Sequence, residues 1–413
     1  MEIIVKKFGG TSVATIENIK NIAQIIKNEV IKGNFPIVVV SAMAHTTNQL
    51  VQYCNHLSTL TTENNMIEYD VVVSSGEQVT SGLLALSLQE IGLNARSFLG
   101  WQLPIITDCL YANANIVDIN IDFLKDLINK KIIPVIAGFQ GIALSKRITT
   151  LGRGGSDTTA VAIAASIKAK KCYIYSDVQG IYSADPQLVR TAIKHEELSH
   201  AEVFEMASAG AKIINKDAAQ IALEHKVPLH VLLSFEKKKG SSVHKKIVRT
   251  KKYKAICITC LDNIFILEIH FANINYYYLQ EFIYQLQKNG VEFTILSQEF
   301  RDDPDLIKIE LSILFSYLDY IKIIIEKNSN KYLFYKINID KIIISLIGRN
   351  NSIDPLIFMK IFNFFIKNSI SCNIINNSAL KVSIITNKKF KDLVLNSLHN
   401  ICILDTIVKA VEL

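Results

Sequence analysis

Nowhere in the 413-residue sequence does an uninterrupted apolar segment approach the ~18 residues of a membrane-crossing helix, so no membrane span is expected. The N-terminus is also short of apolar length. Ile3, Ile4 and Val5 run directly into Lys6 and Lys7, which does not suit a signal peptide. Cysteine is thin and scattered: of seven, only Cys257 and Cys260 have the spacing of a metal clip. They fall in AICITCL, which reads as a strand, where positions i and i+3 point to opposite faces. With no second pair to complete a tetrahedral site, reduced thiols in a cytoplasmic protein are the expectation. A general basic excess is missing too, although the net charge is +7. Residues 236–254 hold nine Lys/Arg and one acid, and removing them from the 45 basic and 38 acidic residues leaves 36 and 37. The positive charge therefore belongs to one short segment, read as a solvated linker, and describes no nucleic-acid-binding face.

What is present is ample core material, with 49% hydrophobic and 20% charged residues. The length suggests two or three folded units. Residues 2–8 read as a strand that ends in Gly9, Gly10, Thr11 and Ser12. A helix follows with Ile16, Ile19, Ala23, Ile26 and Val30 on one face, stopped by Gly33. PIVVVSA (36–42) and IIPVIA (132–137) are apolar runs of the kind covered on both sides, so strands alternate with helices around a mainly parallel sheet. After a polar loop near residues 58–65, Gly76 and Glu77 precede another helix, ended by Gly92. A carboxylate there can simply complement the helix dipole.

The most distinctive stretch is TTLGRGGSDTTAVAIA, residues 149–164. Gly152, Gly154 and Gly155 permit positive φ and a close approach to a ligand. Ser156 and Asp157 are expected to cap the helix that follows. A glycine loop feeding a helix N-terminus is an anion site in outline, and Arg153 adds a fork suited to carboxylate or phosphate. The alternative is a tight turn before an ordinary core helix. KCYIYS (171–176) is the next strand, and it delivers Ser176 and Asp177 into a turn marked by Gly180 and Asp185-Pro186. Beyond the linker the composition shifts towards Ile, Asn, Lys, Tyr and Phe. Two weakly similar βαββα patterns follow there, the first from 264 and the second from 341.

KKFGGTSV (6–13), SAM (41–43), SGE (75–77), GFQG (138–141), TTLGRGGSDTTA (149–160) and YSDVQGIYSADP (175–186), in this order and spacing, resemble the aspartokinase family. The resemblance covers the first ~235 residues without a gap, and the tail resembles that family's paired ACT regulatory domains. It implies an α/β fold: an amino-acid-kinase-type αβα sandwich with a mainly parallel sheet over residues 1–235, then the linker 236–254. Two α+β ACT-like (βαββαβ) domains follow over 255–413, about 264–338 and 340–413, with 255–260 as a candidate extra strand. It also implies phosphoryl transfer from ATP to the side-chain carboxylate of L-aspartate, opening lysine, threonine and methionine synthesis. Mg²⁺ would be held mostly by the nucleotide phosphates.

Carried onto this sequence, the resemblance makes Lys7 the phosphate-contacting lysine and Asp157 the acid that orients it. Gly9 and Gly10 offer amides to the phosphates, and Ser41 lies beside them. Thr47, Glu77, Arg153 and Ser156 hold aspartate, with Arg153 on the α-carboxylate and Glu77 towards the ammonium. Ser176, Asp177, Tyr182, Asp185 and Lys212 match the nucleotide side. Self-association through the ACT-like half as a homodimer is expected, with neither nucleic acid nor membrane as partner. Rival readings are another amino-acid kinase, for acetylglutamate, glutamate or a nucleotide, and a catalytically silent amino-acid sensor.

Departures from the family pattern sit at both ends. After SAM the sequence reads Ala44, His45, Thr46, Thr47, Asn48, where the family has Gly-Asp-Thr-Thr-Asp. Gln179 stands for an acid and Gln187 for an arginine, which predicts weaker nucleotide binding. Phe271, Ala272, Asn273, Ile274 and Asn275 replace the Asp-x-Pro-Gly turn of the first ACT-like unit, and GRNNSIDP keeps only fragments of the second turn. Weak or absent inhibition by lysine and threonine is therefore expected.

Overall fold

The computed structural model describes the chain apart from residues 59, 61, 237–238, 245–254, 273–276, 301–305, 349–354, 378–379 and 405–413. Residues 273–275 of the first expected turn, 349–354 of the second and most of the basic linker thus lie outside the described residues, whereas Phe271 and Ala272, expected in the first turn, end strand Ile264–Ala272. The chain divides into two compact units. Unit 1 comprises Met1–Ile181, Lys194–Ala207 and Lys212–Val248, and unit 2 comprises Tyr182–Ile193, Ser208–Ala211 and Arg249–Leu413.

Unit 1 is built on an eight-stranded sheet in the order Glu197–Ser199, Ser241–His244, Leu229–Leu233, Lys171–Ser176, Glu2–Phe8, Asn34–Val40, Ile133–Ala137, Ala95–Phe98. Every neighbouring pair is parallel except Leu229–Leu233 with Ser241–His244. The central strands are apolar on both faces because helices cover both sides, as in Asn34–Val40, whose last six residues are all buried. Helix Ile16–Ile31 is capped by the Thr15 side chain, which accepts from Asn18 N, and buries Ile19, Ile22, Ala23 and Ile26. Ile16, expected on that face, is instead exposed at the helix start. Gly33 closes the helix at φ +85°.

A long helix, Glu63–Glu90, runs for 28 residues. By length and composition it could cross a membrane. Its Leu84, Ala85 and Leu88 nevertheless pack in one core with Ile19, Ile22 and Val38, the position of a core helix. A side sheet (Ile116–Ile119, Ile105–Thr107, Gln140–Ala143, Ile148–Thr150) ends at Thr150, directly before the glycine loop.

Unit 2 contains two four-stranded antiparallel sheets with helices over them. The first is a complete βαββαβ unit, Ile264–Ala272, Tyr277–Lys288, Phe293–Phe300, Leu306–Leu314, Leu318–Lys327 and Tyr332–Asn338. The second runs Lys341–Ile347, Pro355–Lys367, Asn373–Asn377, Lys381–Asn387 and Lys391–His399, and Cys257–Leu261 joins its sheet at Lys341–Ile347. Within that joining strand Cys257 is buried and Cys260 half-buried, and all seven cysteines are free thiols.

Residues 182–193 fold with unit 2 although the sequence places them well inside the first half. Ile258 N donates to Ser183 O at 2.8 Å, and Ala184 and Val189 join the apolar core of Ile258, Leu395 and Leu398. His399 bridges the two ends of the segment, with Nε2 2.9 Å from Ser183 Oγ and Nδ1 3.2 Å from Thr191 Oγ1.

Candidate active site

In α/β sheets ligands settle outside the carboxyl ends of the strands, and the candidate residues of unit 1 collect there. Strand Glu2–Phe8 sits between Asn34–Val40 and Lys171–Ser176. Its period-two alternation sends the two adjacent lysines to opposite faces. Lys6 is 2% exposed, donates to Tyr175 Oη at 2.8 Å and pairs with Glu29 at 3.3 Å, which makes it a structural residue of the core. Lys7 turns the other way, with Nζ 2.5 Å from Asp157 Oδ1. The two side chains are 11% and 12% exposed, so the pair is largely desolvated.

The glycines after this strand act by what they lack. Gly9 N donates to Tyr175 O at 3.2 Å, so its amide closes the turn instead of facing a ligand. A Cβ on Gly9 would stand 3.5 Å from Lys7 Nζ, and one on Gly10 3.0 Å from Ala42 O. Ser41 continues the neighbouring strand end, its N donating to Phe8 O at 3.0 Å. Thr47 lies in the first turn of helix Thr46–Leu57, whose N-cap His45 takes φ +68°. A left-handed conformation is costly for any residue with a Cβ, roughly 1–2 kcal/mol.

Glu77 is 3% exposed in the first turn of Ser75–Glu90. Oε1 accepts from Ala42 N at 3.0 Å, whereas Oε2 is buried without a hydrogen-bond partner. Burial lifts its pKa from 4.5 to about 7 against the opposing pull of the Ala42 amide and the Lys7 charge. One oxygen of this buried carboxylate therefore keeps its accepting capacity unmet.

The glycine loop differs from expectation in one respect. Gly154, at φ +75°, is the N-cap of helix Gly155–Ser166 and no side chain caps it. Ser156 and Asp157 therefore stand inside the first turn, because the helix begins ahead of them, and both are buried. Asp157 is thereby free to meet Lys7. Arg153 is exposed, and its carbonyl accepts from Asn215 Nδ2. Asn215 Oδ1 also caps helix Lys216–His225, accepting from Asp217 N at 2.6 Å and Ala218 N at 3.3 Å. Lys212 is exposed three residues before it.

On the other flank Ser176 Oγ donates to Asp177 Oδ1 at 3.0 Å, and Ser234 Oγ donates to Ser176 O at 3.4 Å. Tyr182 and Asp185 belong to unit 2, where Asp185 Oδ1 accepts from Gln187 N at 2.9 Å to hold the turn. Gln179 Nε2 reaches Glu236 Oε2 at 3.4 Å. A cavity of about 200 Å³ in unit 2, bordered by Glu268, Glu310, Lys336 and Lys341 among others, includes none of the residues singled out by the sequence. Among the described residues no three His, Cys, Asp or Glu cluster as metal ligands.

Sequence reasoning missed Asp70 and Asn215. Asp70 is fully buried and accepts from Ala112 N, Thr150 N and Thr150 Oγ1.

Residues 2–232 match the model of the amino acid kinase family. The chain is 38% identical to the aspartokinase of Rickettsia felis over 97% of its own length and 99% of that protein. It is 34% identical to the aspartokinase of Geobacillus stearothermophilus over 97% of each. The chain therefore belongs to the amino acid kinase family and, within it, to the aspartokinases. The crystal structure of E. coli aspartokinase III in complex with aspartate and ADP shares its fold, with a TM-score of 0.80 at 22% identity over 97% of this chain and 99% of that one.

Proposed function

We propose that the chain transfers the γ-phosphoryl group of ATP to the β-carboxylate of L-aspartate, giving 4-phospho-L-aspartate, as a cytoplasmic step towards lysine, threonine and methionine. The observation that carries this reading is the buried Lys7–Asp157 pair, together with the buried and unpartnered Oε2 of Glu77. The buried Glu77, with one oxygen unpartnered, suits the substrate ammonium, and Arg153 suits its α-carboxylate. The β-carboxylate, ionised at neutral pH, attacks the γ-phosphorus while the bond to the bridging oxygen of ADP breaks. No proton need be moved. Neutralisation and alignment remain, and the Lys7 ammonium, held by Asp157, meets the charge spreading over the phosphoryl oxygens. Mg²⁺ arriving on the nucleotide would neutralise the remaining phosphate charge. Gly10, Ser41, Ser176, Asp177, Tyr182, Asp185 and Lys212 are assigned to the nucleotide, with Gly9 contributing space. Thr47 and Ser156 are assigned to aspartate.

Trapping the acyl phosphate as a hydroxamate tests the substrate. Abundant product with aspartate and little with glutamate is the expected result, and equal use of both overturns the assignment.

The ACT-like half is assigned regulation and dimerisation. Strand Tyr332–Asn338 is a sheet edge with Leu333, Phe334 and Tyr335 exposed, a combination that favours a partner. Light scattering at micromolar concentration should give the mass of two chains, and a monomer would contradict this.

A further inference from the structure

Two buried carboxylates, Asp70 and Glu77, stand seven residues apart along Glu63–Glu90, one on either side of the turn at Ser74. Glu77 faces the strand end. Asp70 reaches away from it into the side sheet. Its two oxygens share Ala112 N at 3.0 Å each, Oδ2 accepts from Thr150 N at 3.0 Å, and Oδ1 accepts from Thr150 Oγ1 at 2.5 Å. Thr150 is the last residue before Leu151, Gly152 and Arg153, and its own carbonyl accepts from Ala114 N at 2.8 Å. Asn113, beside Ala114, lies against Gly152 so closely that a Cβ there would collide with its Oδ1. A carboxylate presents acceptors on both oxygens and so meets all three donors, whereas an amide would turn its NH2 towards one of them. Burial raises its pKa to about 6, against the pull of the three donors.

We infer that Asp70 is a positioning residue for aspartate binding: through Thr150 it fixes the root of the arginine loop to the helix that bears Glu77, and so sets the spacing of the two charged poles that receive the amino acid. The inference rests on the assignment of Arg153 to the α-carboxylate. Asp70 touches no substrate. Its effect passes through the backbone of residues 150–153, whose far end is held by Asn215 on the Arg153 carbonyl.

The test is steady-state kinetics on the full chain with Arg153→Ala, Asp70→Asn, Thr150→Val, Thr150→Ser and the double variant Asp70→Asn/Arg153→Ala. Arg153→Ala alone tests the underlying assignment, since an unchanged KM for aspartate would remove it whatever Asp70 does. If that variant raises KM, Asp70→Asn and Thr150→Val are each expected to raise the KM for aspartate about tenfold. Both should leave the KM for ATP within twofold and kcat within threefold. Thr150→Ser, which keeps the hydroxyl, should restore the parent value. In the double variant the Asp70 substitution should add less than twofold to the KM of Arg153→Ala, because a loop without its guanidinium has nothing left to aim. A merely structural Asp70 would lower melting temperature and shift all three parameters together, with full additivity in the double variant. That pattern, or an unchanged KM for aspartate, overturns the inference.

Discussion

Lys7→Ala is expected to lower kcat by roughly 100-fold and also to destabilise the folded chain, and the two effects should separate in a second variant. The catalytic loss follows from removing a charge-assisted contact to the transferred phosphoryl group, which costs about 1.5–3 kcal/mol, or roughly 10- to 150-fold. The stability loss has another origin. Lys7 and Asp157 form a desolvated pair, and deleting the cation strands a buried carboxylate, a change worth roughly 3–5 kcal/mol. Lys7→Ala/Asp157→Asn removes the stranded charge, so its melting temperature should return most of the way to the parent while kcat stays low. Thermal melts beside single-turnover kinetics read both. If the double variant recovered kcat, Lys7 would be a structural residue and the phosphoryl assignment would fall. If Lys7→Ala melted like the parent, the pair would be too well solvated to matter.

What could be read beforehand follows from how far each signal travels along the chain. The strand Lys171–Ser176 matches its sequence reading at both ends, because a β-branched and aromatic run leading into a turn is a local pattern. The βαββα repeat was legible for the same reason, through its apolar period. Cap positions were less so. Gly154 displaced Ser156 and Asp157 from the expected capping role, since a left-handed glycine starts the helix one turn-position earlier than side-chain chemistry alone suggests. The helix from Glu63 begins inside a stretch that reads as polar loop, with Thr62 accepting from Asn65 N. The role of Asp70 was illegible in principle, because its partners lie 42 and 80 residues away and nothing in its neighbourhood announces them. The same holds for residues 182–193. Their place in unit 2 depends on His399, 216 residues beyond Ser183.

Glu77→Gln should make the substrate-free protein more stable at pH 8 while weakening its grip on aspartate, an inverse effect that an ordinary core residue would not show. The Glu77 pKa stands at about 7 in the folded chain against an ordinary 4.5, the main cause being burial. Below pH 4.5 the carboxyl is neutral in both states and contributes no penalty. Between 4.5 and 7 the unfolded chain ionises first and holds fewer protons than the folded one, so stability falls as pH rises, and the loss is complete above 7. The gap corresponds to roughly 3 kcal/mol at pH 8. Glutamine keeps the acceptor for Ala42 N but places an amide where Oε2 had no partner, which returns about 1 kcal/mol of the gain. A net stabilisation of about 2 kcal/mol should raise the melting temperature by a few degrees at pH 8, whereas near pH 4.5 only the roughly 1 kcal/mol cost of the buried amide remains and the variant should melt slightly below its parent. In the parent, saturating aspartate supplies the missing cation and should close that gap, whereas the variant should respond to aspartate only at roughly 10- to 150-fold higher concentration. Melting curves at three pH values, with and without aspartate, decide the matter. A variant that melts below its parent at pH 8, or that keeps the parent's aspartate response, would show that Glu77 serves the fold and not the substrate ammonium.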